Sequence, residues 1–135
     1  LYHYEYPPDE DNHDRYITDS ICFNSCRLAQ RTNASAIVTM TFSGYTGFKI
    51  ASFRPKAGIF IFTGNHEILN MLSLVWGVKA FYYDKFVSTD HTIADIKYIL
   101  KKQGYVKVND LTINIASMPI TEKGQSNMMK LSYVE

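Results

Sequence analysis

The chain reads as an α/β protein: a three-layer α/β/α sandwich on a mixed sheet of about five strands, mostly parallel, with the last strand antiparallel at an edge. Three observations predict this. Short apolar runs at residues 36–41, 58–63 and 78–83 alternate with stretches of helical spacing. Each intervening stretch is long enough for a helical crossover, which implies right-handed connections and parallel strands covered on both faces. The tail then changes character. Leu111-Thr112-Ile113-Asn114-Ile115 and Met129-Lys130-Leu131-Ser132-Tyr133 alternate with period two and have no helical stretch between them, so the last strand should return antiparallel at an edge.

Each element has its own signal. Residues 1–12 combine Pro7-Pro8 with Asp9, Glu10 and Asp11 and hold no sustained period, which reads as a connector leading into a domain over residues 13–135. Residues 13–33 set Ile17, Ile21 and Leu28, with Cys22, Cys26 and Ala29, at helical spacing, and Asn33 closes the pattern. Ala36-Ile37-Val38-Thr39-Met40-Thr41 is a buried strand, and residues 44–53 form a helix stopped by Pro55. Residues 58–63 make the second strand, 66–75 a short helix and 78–83 the third strand. Residues 90–103 place Ile93, Ile96, Ile99 and Leu100 on one side of a helix, with Lys101 and Lys102 in its last turn and Gly104 just past it.

Composition narrows the function. A chain of 135 residues has room for one domain with a single core, and its 46% hydrophobic and 20% charged residues are ordinary for a globular protein. The net charge of +1 makes no electrostatic case for nucleic acid or an anionic membrane. No apolar run reaches transmembrane length and no signal peptide opens the chain. Leu1 rather than Met at the start leads us to expect a piece of something longer. Cys22 and Cys26, four apart on one helical pattern, are poorly placed to pair with each other. They read as small core residues in a reducing compartment, so a cytoplasmic location is expected.

The segment that carries chemistry is Thr41-Phe42-Ser43-Gly44-Tyr45-Thr46-Gly47. A strand feeding a hydroxyl- and glycine-rich turn and then a helix directs backbone N–H groups outward, where an anion can meet them. Thr41, Ser43 and Thr46 would supply hydroxyls and Gly44 close backbone approach. The competing reading is a capping turn, in which Ser43 satisfies helix amides for about 1 kcal/mol and nothing binds. Neither Phe42 nor Tyr45 carries charge, and Lys49 and Lys123 are the nearest candidates to supply it. The aromatic run Trp76, Phe81, Tyr82 and Tyr83, with Phe86 nearby, reads as part core and part subunit interface, and Trp76 as buried in one or the other. His3, His13, His66 and His91 share no ligand spacing with the cysteines, so no zinc site is expected. No local signature supports a Cys–His nucleophile, and Glu5, Asp9, Glu10, Asp11 and Asp14 read as a solvated connector.

Taken jointly, these residues resemble the C-terminal domain of pyruvate kinase from residue 13 to about 134. The resemblance is carried by Ala36, Ile37, Val38, Thr41, Ser43, Gly44, Thr46, Arg54, Pro55 and Ala57, then by Thr63-x-Asn65, Trp76-Gly77-Val78 and Asp110. Pro119, Gly124 and Asn127 fit the family's closing pattern, whereas Gly58, Asn109 and Ser126 stand where Pro, Gly and Thr are more usual. The resemblance implies a regulatory and assembly domain that does no chemistry and needs no cofactor of its own. It implies an effector phosphate held by Thr41, Ser43, Gly44, Tyr45 and Thr46, with the family's basic positions falling at Phe42 and Tyr45. A second loop over residues 118–127, through Gly124, Gln125 and Ser126, would close over that effector; an ordinary hairpin-like connection is the competing reading. Trp76, Phe81 and Tyr83 are the expected interface residues.

The implied partners are the domain's own barrel domain, the other subunits of a homotetramer and a phosphorylated metabolite, with no nucleic acid and no membrane. The family's catalytic lysine and arginine, its Mg²⁺-holding carboxylates and its K⁺ site belong to the barrel. No segment here resembles them. The parent enzyme would transfer phosphate from phosphoenolpyruvate to ADP in glycolysis. Two alternatives stand beside this reading: a dimerisation module without an effector, and a free-standing phosphometabolite-binding domain.

Overall fold

The computed structural model describes residues 13–85, 88–116 and 128–135, with the side chains of residues 13 and 14 set aside. The connector at 1–12, Phe86, and the second loop with Gly124, Gln125 and Ser126 lie outside the described residues.

Helices and strands alternate as the apolar periods require. Helix α1 is His13–Thr32, followed by β1 Ala36–Met40, α2 Tyr45–Ser52, β2 Gly58–Thr63, α3 His66–Leu72 and β3 Val78–Tyr82. Helix α4, Thr89–Lys102, leads to β4 Leu111–Ala116 and β5 Met128–Tyr133. The sheet order is β3-β2-β1-β4-β5. Strands β1, β2, β3 and β4 run parallel, and β5 pairs antiparallel with β4 from Leu111↔Tyr133 to Ala116↔Met128. That is the mixed sheet with an antiparallel edge that the sequence predicts.

The two faces of the sheet are covered differently. Ile37, Ile59, Ile61, Ile113 and Ile115 face α1, α2 and α3 through Cys22, Cys26, Ile50 and Leu72. On the other face Val38, Met40, Phe60 and Phe62 meet α4 through Ile93, Ile96 and Leu100. Alternation along β1 sends Ile37 one way and Val38 the other, so every side chain of the strand is buried. The face of α1 toward the sheet is made of small residues, Thr18, Cys22, Ser25, Cys26 and Ala29, which let the helix lie close. Ile17, expected on the apolar side, is instead exposed.

Local chemistry sets the ends. Asn33, at φ 55°, ends α1 as expected, because asparagine tolerates the left-handed region. Asn109 takes φ 74° on the same ground. Helix α3 stops at Leu72, three residues short of the expected end, because Leu74 and Val75 bond back to Met71 and Leu72 in tight turns. The edge strand β5 is fastened to α4: Lys97 Nζ donates to Ser132 Oγ at 2.6 Å, Lys101 Nζ to the Glu135 carbonyl at 2.8 Å, and Lys130 pairs with Asp90.

Candidate functional site

Strand order reverses at β1, whose neighbours β2 and β4 leave it in opposite directions. In open α/β sheets such a switch point opens a crevice outside the carboxyl ends of the strands, where ligands bind. The turn at residues 41–47 leaves the carboxyl end of β1, beside this switch point.

The turn is tightly wired. The Thr41 N–H donates to the Phe62 carbonyl at 3.1 Å, continuing the ladder one residue past β1. Thr41 Oγ1 then accepts the Gly44 N–H at 3.1 Å, and Ser43 Oγ accepts the Tyr45 N–H at 3.4 Å. Gly44 caps α2 in the left-handed region at φ 82°, and a Cβ there would stand 2.8 Å from Ile68 Cγ2. Gly47 lets α2 approach the sheet, since a Cβ at that position would meet Ile61 Cδ1 at 2.3 Å. Asn65 braces the turn from α3. Its Oδ1 accepts the Glu67 and Ile68 N–H groups, while its Nδ2 donates to the Phe42 carbonyl at 3.4 Å.

Of the predicted phosphate-site residues, Thr41, Gly44 and Thr46 are buried, Ser43 is exposed and Tyr45 is half-buried. Gly44, not Ser43, stands at the N-cap; Ser43 accepts only the first helical amide, from Tyr45, and Thr41 accepts the Gly44 N–H. Charge reaches the turn from an element the sequence did not point to. Arg15 on α1 lies over the Tyr45 ring with its Cζ 3.7 Å from the centroid, and the Tyr45 hydroxyl donates to Asp19 Oδ1, also on α1. Lys49 Nζ is 3.9 Å from Asp19 Oδ2, so the lysine expected to supply charge is held by a carboxylate. Burial, then the bond to Asp19, pushes the Tyr45 phenol above its usual range and keeps it a neutral donor. Arg15 and Asp19 stand four apart on α1, a spacing with an ordinary surface reading; only the docking of α1 on α2 brings them to the turn.

The other predicted residues separate. Trp76 is 86% exposed and Leu74 88%, so the expectation that Trp76 would be buried in the chain's own core is corrected. The early end of α3 and the left-handed Gly77 at φ 82° carry residues 73–77 off the sheet as a corner. Tyr83, expected at an interface, is 5% exposed within this chain and donates its hydroxyl to Asp95 Oδ2 at 2.7 Å. Alternation along β3 explains this, since Phe81 and Tyr83 point to the α4 side and Tyr82 away from it. Phe81 stacks on Phe62 at 4.9 Å, and Tyr82 stacks on His66 at 4.2 Å.

Cys22 and Cys26 are buried free thiols, each pushed up to about 12, by burial above all. They are core residues, as expected. Among the described residues no group of three or more His, Cys, Asp or Glu could hold a metal, and no helix is long and apolar enough to cross a membrane. The arrangement can hold an anion or a partner surface, with amides and hydroxyls at the turn and apolar side chains at the corner.

Comparison with known proteins agrees with this fold. Residues 19–132 match the family described as pyruvate kinase, alpha/beta domain. The chain belongs to the pyruvate kinase alpha/beta domain family. It is 34% identical over 124 residues to a pyruvate kinase of Clostridium acetobutylicum, covering 92% of this chain and 26% of that protein. It is 35% identical over 118 residues to a pyruvate kinase of Geobacillus stearothermophilus, covering 87% and 20%. The domain thus spans about a quarter or less of these relatives. A crystal structure of pyruvate kinase from Cryptosporidium parvum shares the fold at a TM-score of 0.79 and 23% identity, covering 88% of this chain and 23% of that one.

Proposed function

We propose that this chain is the regulatory and assembly domain of a pyruvate kinase, and that its 41–47 turn receives a phosphorylated metabolite. The observation that carries the reading is the position of that turn at the topological switch point, where open α/β sheets bind ligands. The first-turn amides of α2 and the exposed Ser43 hydroxyl suit a phosphate, and Arg15 brings a guanidinium to the neighbouring Tyr45. In this reading the parent enzyme, with its own barrel, Mg²⁺ and K⁺, transfers phosphate from phosphoenolpyruvate to ADP in the cytoplasm. Effector binding changes how α1 and α2 pack, and the subunits of a homotetramer pass the change to the active site. The exposed Leu74, Trp76 and Met71 give this domain an apolar surface for its own barrel or a neighbouring subunit.

The test is Ser43→Asp in the full-length enzyme. A fixed negative charge in the turn should abolish activation by phosphorylated metabolites and leave basal turnover intact. An unchanged activation curve would remove the turn from the mechanism.

A second reading is favoured by one observation. Neither Phe42 nor Tyr45 brings a positive charge to the turn, and Asp19 already engages Tyr45 and Lys49. The turn is then a structural joint and the domain serves assembly alone. Self-association in analytical ultracentrifugation with no response to phosphates would select that reading.

A further inference from the structure

Helix α1 is tied to the edge strand β5 by a hydroxyl and a thioether: the Ser25 hydroxyl donates to Met129 Sδ at 2.9 Å. The two partners have opposite surroundings. Ser25 is fully buried, on the small-residue face that α1 turns to the sheet, so no water stands in for its partner. Met129 is 37% exposed. It pairs with Ile115 on β4, whose side chain belongs to the core beneath α1, so the thioether lies on the same face of the sheet. Strand β5 is the outermost strand, which leaves solvent on the far side of Met129 from Ser25. A hydroxyl within a helix ordinarily bonds back to the carbonyl one turn earlier, as Thr32 of α1 does to Leu28 at 2.7 Å. Ser25 instead takes a thioether, a weak acceptor. One side of the sulfur is therefore held by a buried hydroxyl and the other is open.

We propose that Met129 is an oxidative modification site, converted by hydroperoxides to its sulfoxide, and that Ser25 decides which of the two sulfoxide epimers forms. The open lone pair of the sulfur attacks one peroxide oxygen. An S–O bond forms as the O–O bond breaks, and the thioether is oxidised by two electrons. The proton on the transferred oxygen passes to the departing hydroxide, which leaves as water. The lone pair facing Ser25 is shielded, so oxygen arrives from the solvent side and one configuration dominates. Oxidation also draws electron density from the sulfur, which deprives the buried hydroxyl of its acceptor and loosens the seam between α1 and β5. Each epimer has its own reductase, so the change is reversible by one enzyme of the pair. The competing account is an ordinary surface methionine oxidised without preference, as expected of Met71, 53% exposed near the end of α3. None of this depends on what the 41–47 turn binds.

The experiment treats the folded 135-residue chain with dilute hydrogen peroxide, digests it, and offers the peptides separately to the two epimer-specific methionine sulfoxide reductases, with mass spectrometry as the readout. Met129 sulfoxide should be repaired by one reductase in preference to the other by about fivefold or more, the effect of one hydrogen bond. Met71 sulfoxide should be repaired by both about equally. Ser25→Ala should bring Met129 to the even ratio of Met71. Met129→Leu, which keeps the side-chain volume, serves as the second variant: peroxide should lower the Tm of the wild type more than that of Met129→Leu. An even ratio at Met129 in the wild type, a bias that survives in Ser25→Ala, or an equal loss of Tm in the wild type and Met129→Leu overturns the proposal.

Discussion

The 41–47 turn after β1 and the 73–77 corner before β3 are both short connections on the same sheet, and they are built in opposite ways. The turn buries Thr41, Gly44, Thr46 and Gly47 and uses its hydroxyls to hold its own amides. The corner leaves Leu74 and Trp76 almost wholly bare, anchored by the packing of Val75 on the core and by bonds such as that from the Val75 N–H to the Leu72 carbonyl. The position of a strand explains the difference. β1 is central and buried on both faces, so the chain leaving it must satisfy every polar group in a confined space. β3 is an edge strand, and the chain entering it has solvent on its outer side. The lesson is that the centre of this sheet ties its connection down with polar bonds to its own backbone, whereas the edge leaves apolar side chains bare.

Four experiments would break or sharpen that comparison. The largest effect is expected at alkaline pH, because Cys22 lies beneath the turn, 4.0 Å from the Thr46 carbonyl, and Cys26 one helical turn beyond. Both thiols are neutral when buried, so their contribution is complete below the unfolded value of about 9 and is lost as pH rises toward about 12. Each thiol should contribute a slope of about 1.4 kcal/mol per pH unit in that window, measured by urea denaturation, and Cys22→Ala should remove about half of the combined slope. A flat profile from pH 8 to 11 would mean that the turn side is not packed as described.

Next, Gly47→Val should destabilise by roughly 1–3 kcal/mol, since even a Cβ meets Ile61 Cδ1 at 2.3 Å. Gly44→Ala should lose about 1–2 kcal/mol through its φ of 82°, with the contact to Ile68 adding to the loss. If either variant melts with the wild type, the turn is looser than its hydrogen bonds indicate. The smallest stability effect belongs to the corner. Trp76→Ser should shift unfolding by less than about 0.5 kcal/mol, because the ring is almost fully exposed. Its effect should appear in association instead, as a weaker sedimentation-measured assembly of the full-length enzyme. A large loss of stability would place Trp76 in an intramolecular contact.

Much of the fold was legible in the sequence. Short, β-branched and aromatic apolar runs such as Ile59-Phe60-Ile61-Phe62 favour a strand buried on both faces, and the period-two tail favours a pairing without a crossover. The candidate site was legible in part. Thr41, Ser43 and Gly44 could be found because a strand, a glycine turn and a helix are consecutive in sequence. Arg15 and Asp19 could not, because nothing in their own neighbourhood distinguishes them from an exposed helical pair until α1 is laid against α2.

The same division holds for the aromatic run. Its residues are adjacent in sequence, yet Tyr83 is buried beneath α4, Tyr82 stacks on His66 and Trp76 faces solvent. What the sequence by itself determined was everything that depends on local periodicity and on the conformational demands of single residues: the elements, their order, the parallel sheet, its antiparallel edge and the polar turn after β1. Tertiary structure alone decided which helix lends its charges to that turn, and which aromatic is core and which is bare. The physical reason is range. Hydrogen-bonded turns and apolar periods are written over a few residues, whereas burial and electrostatic pairing depend on contacts between side chains that only the packed chain brings within a few ångströms.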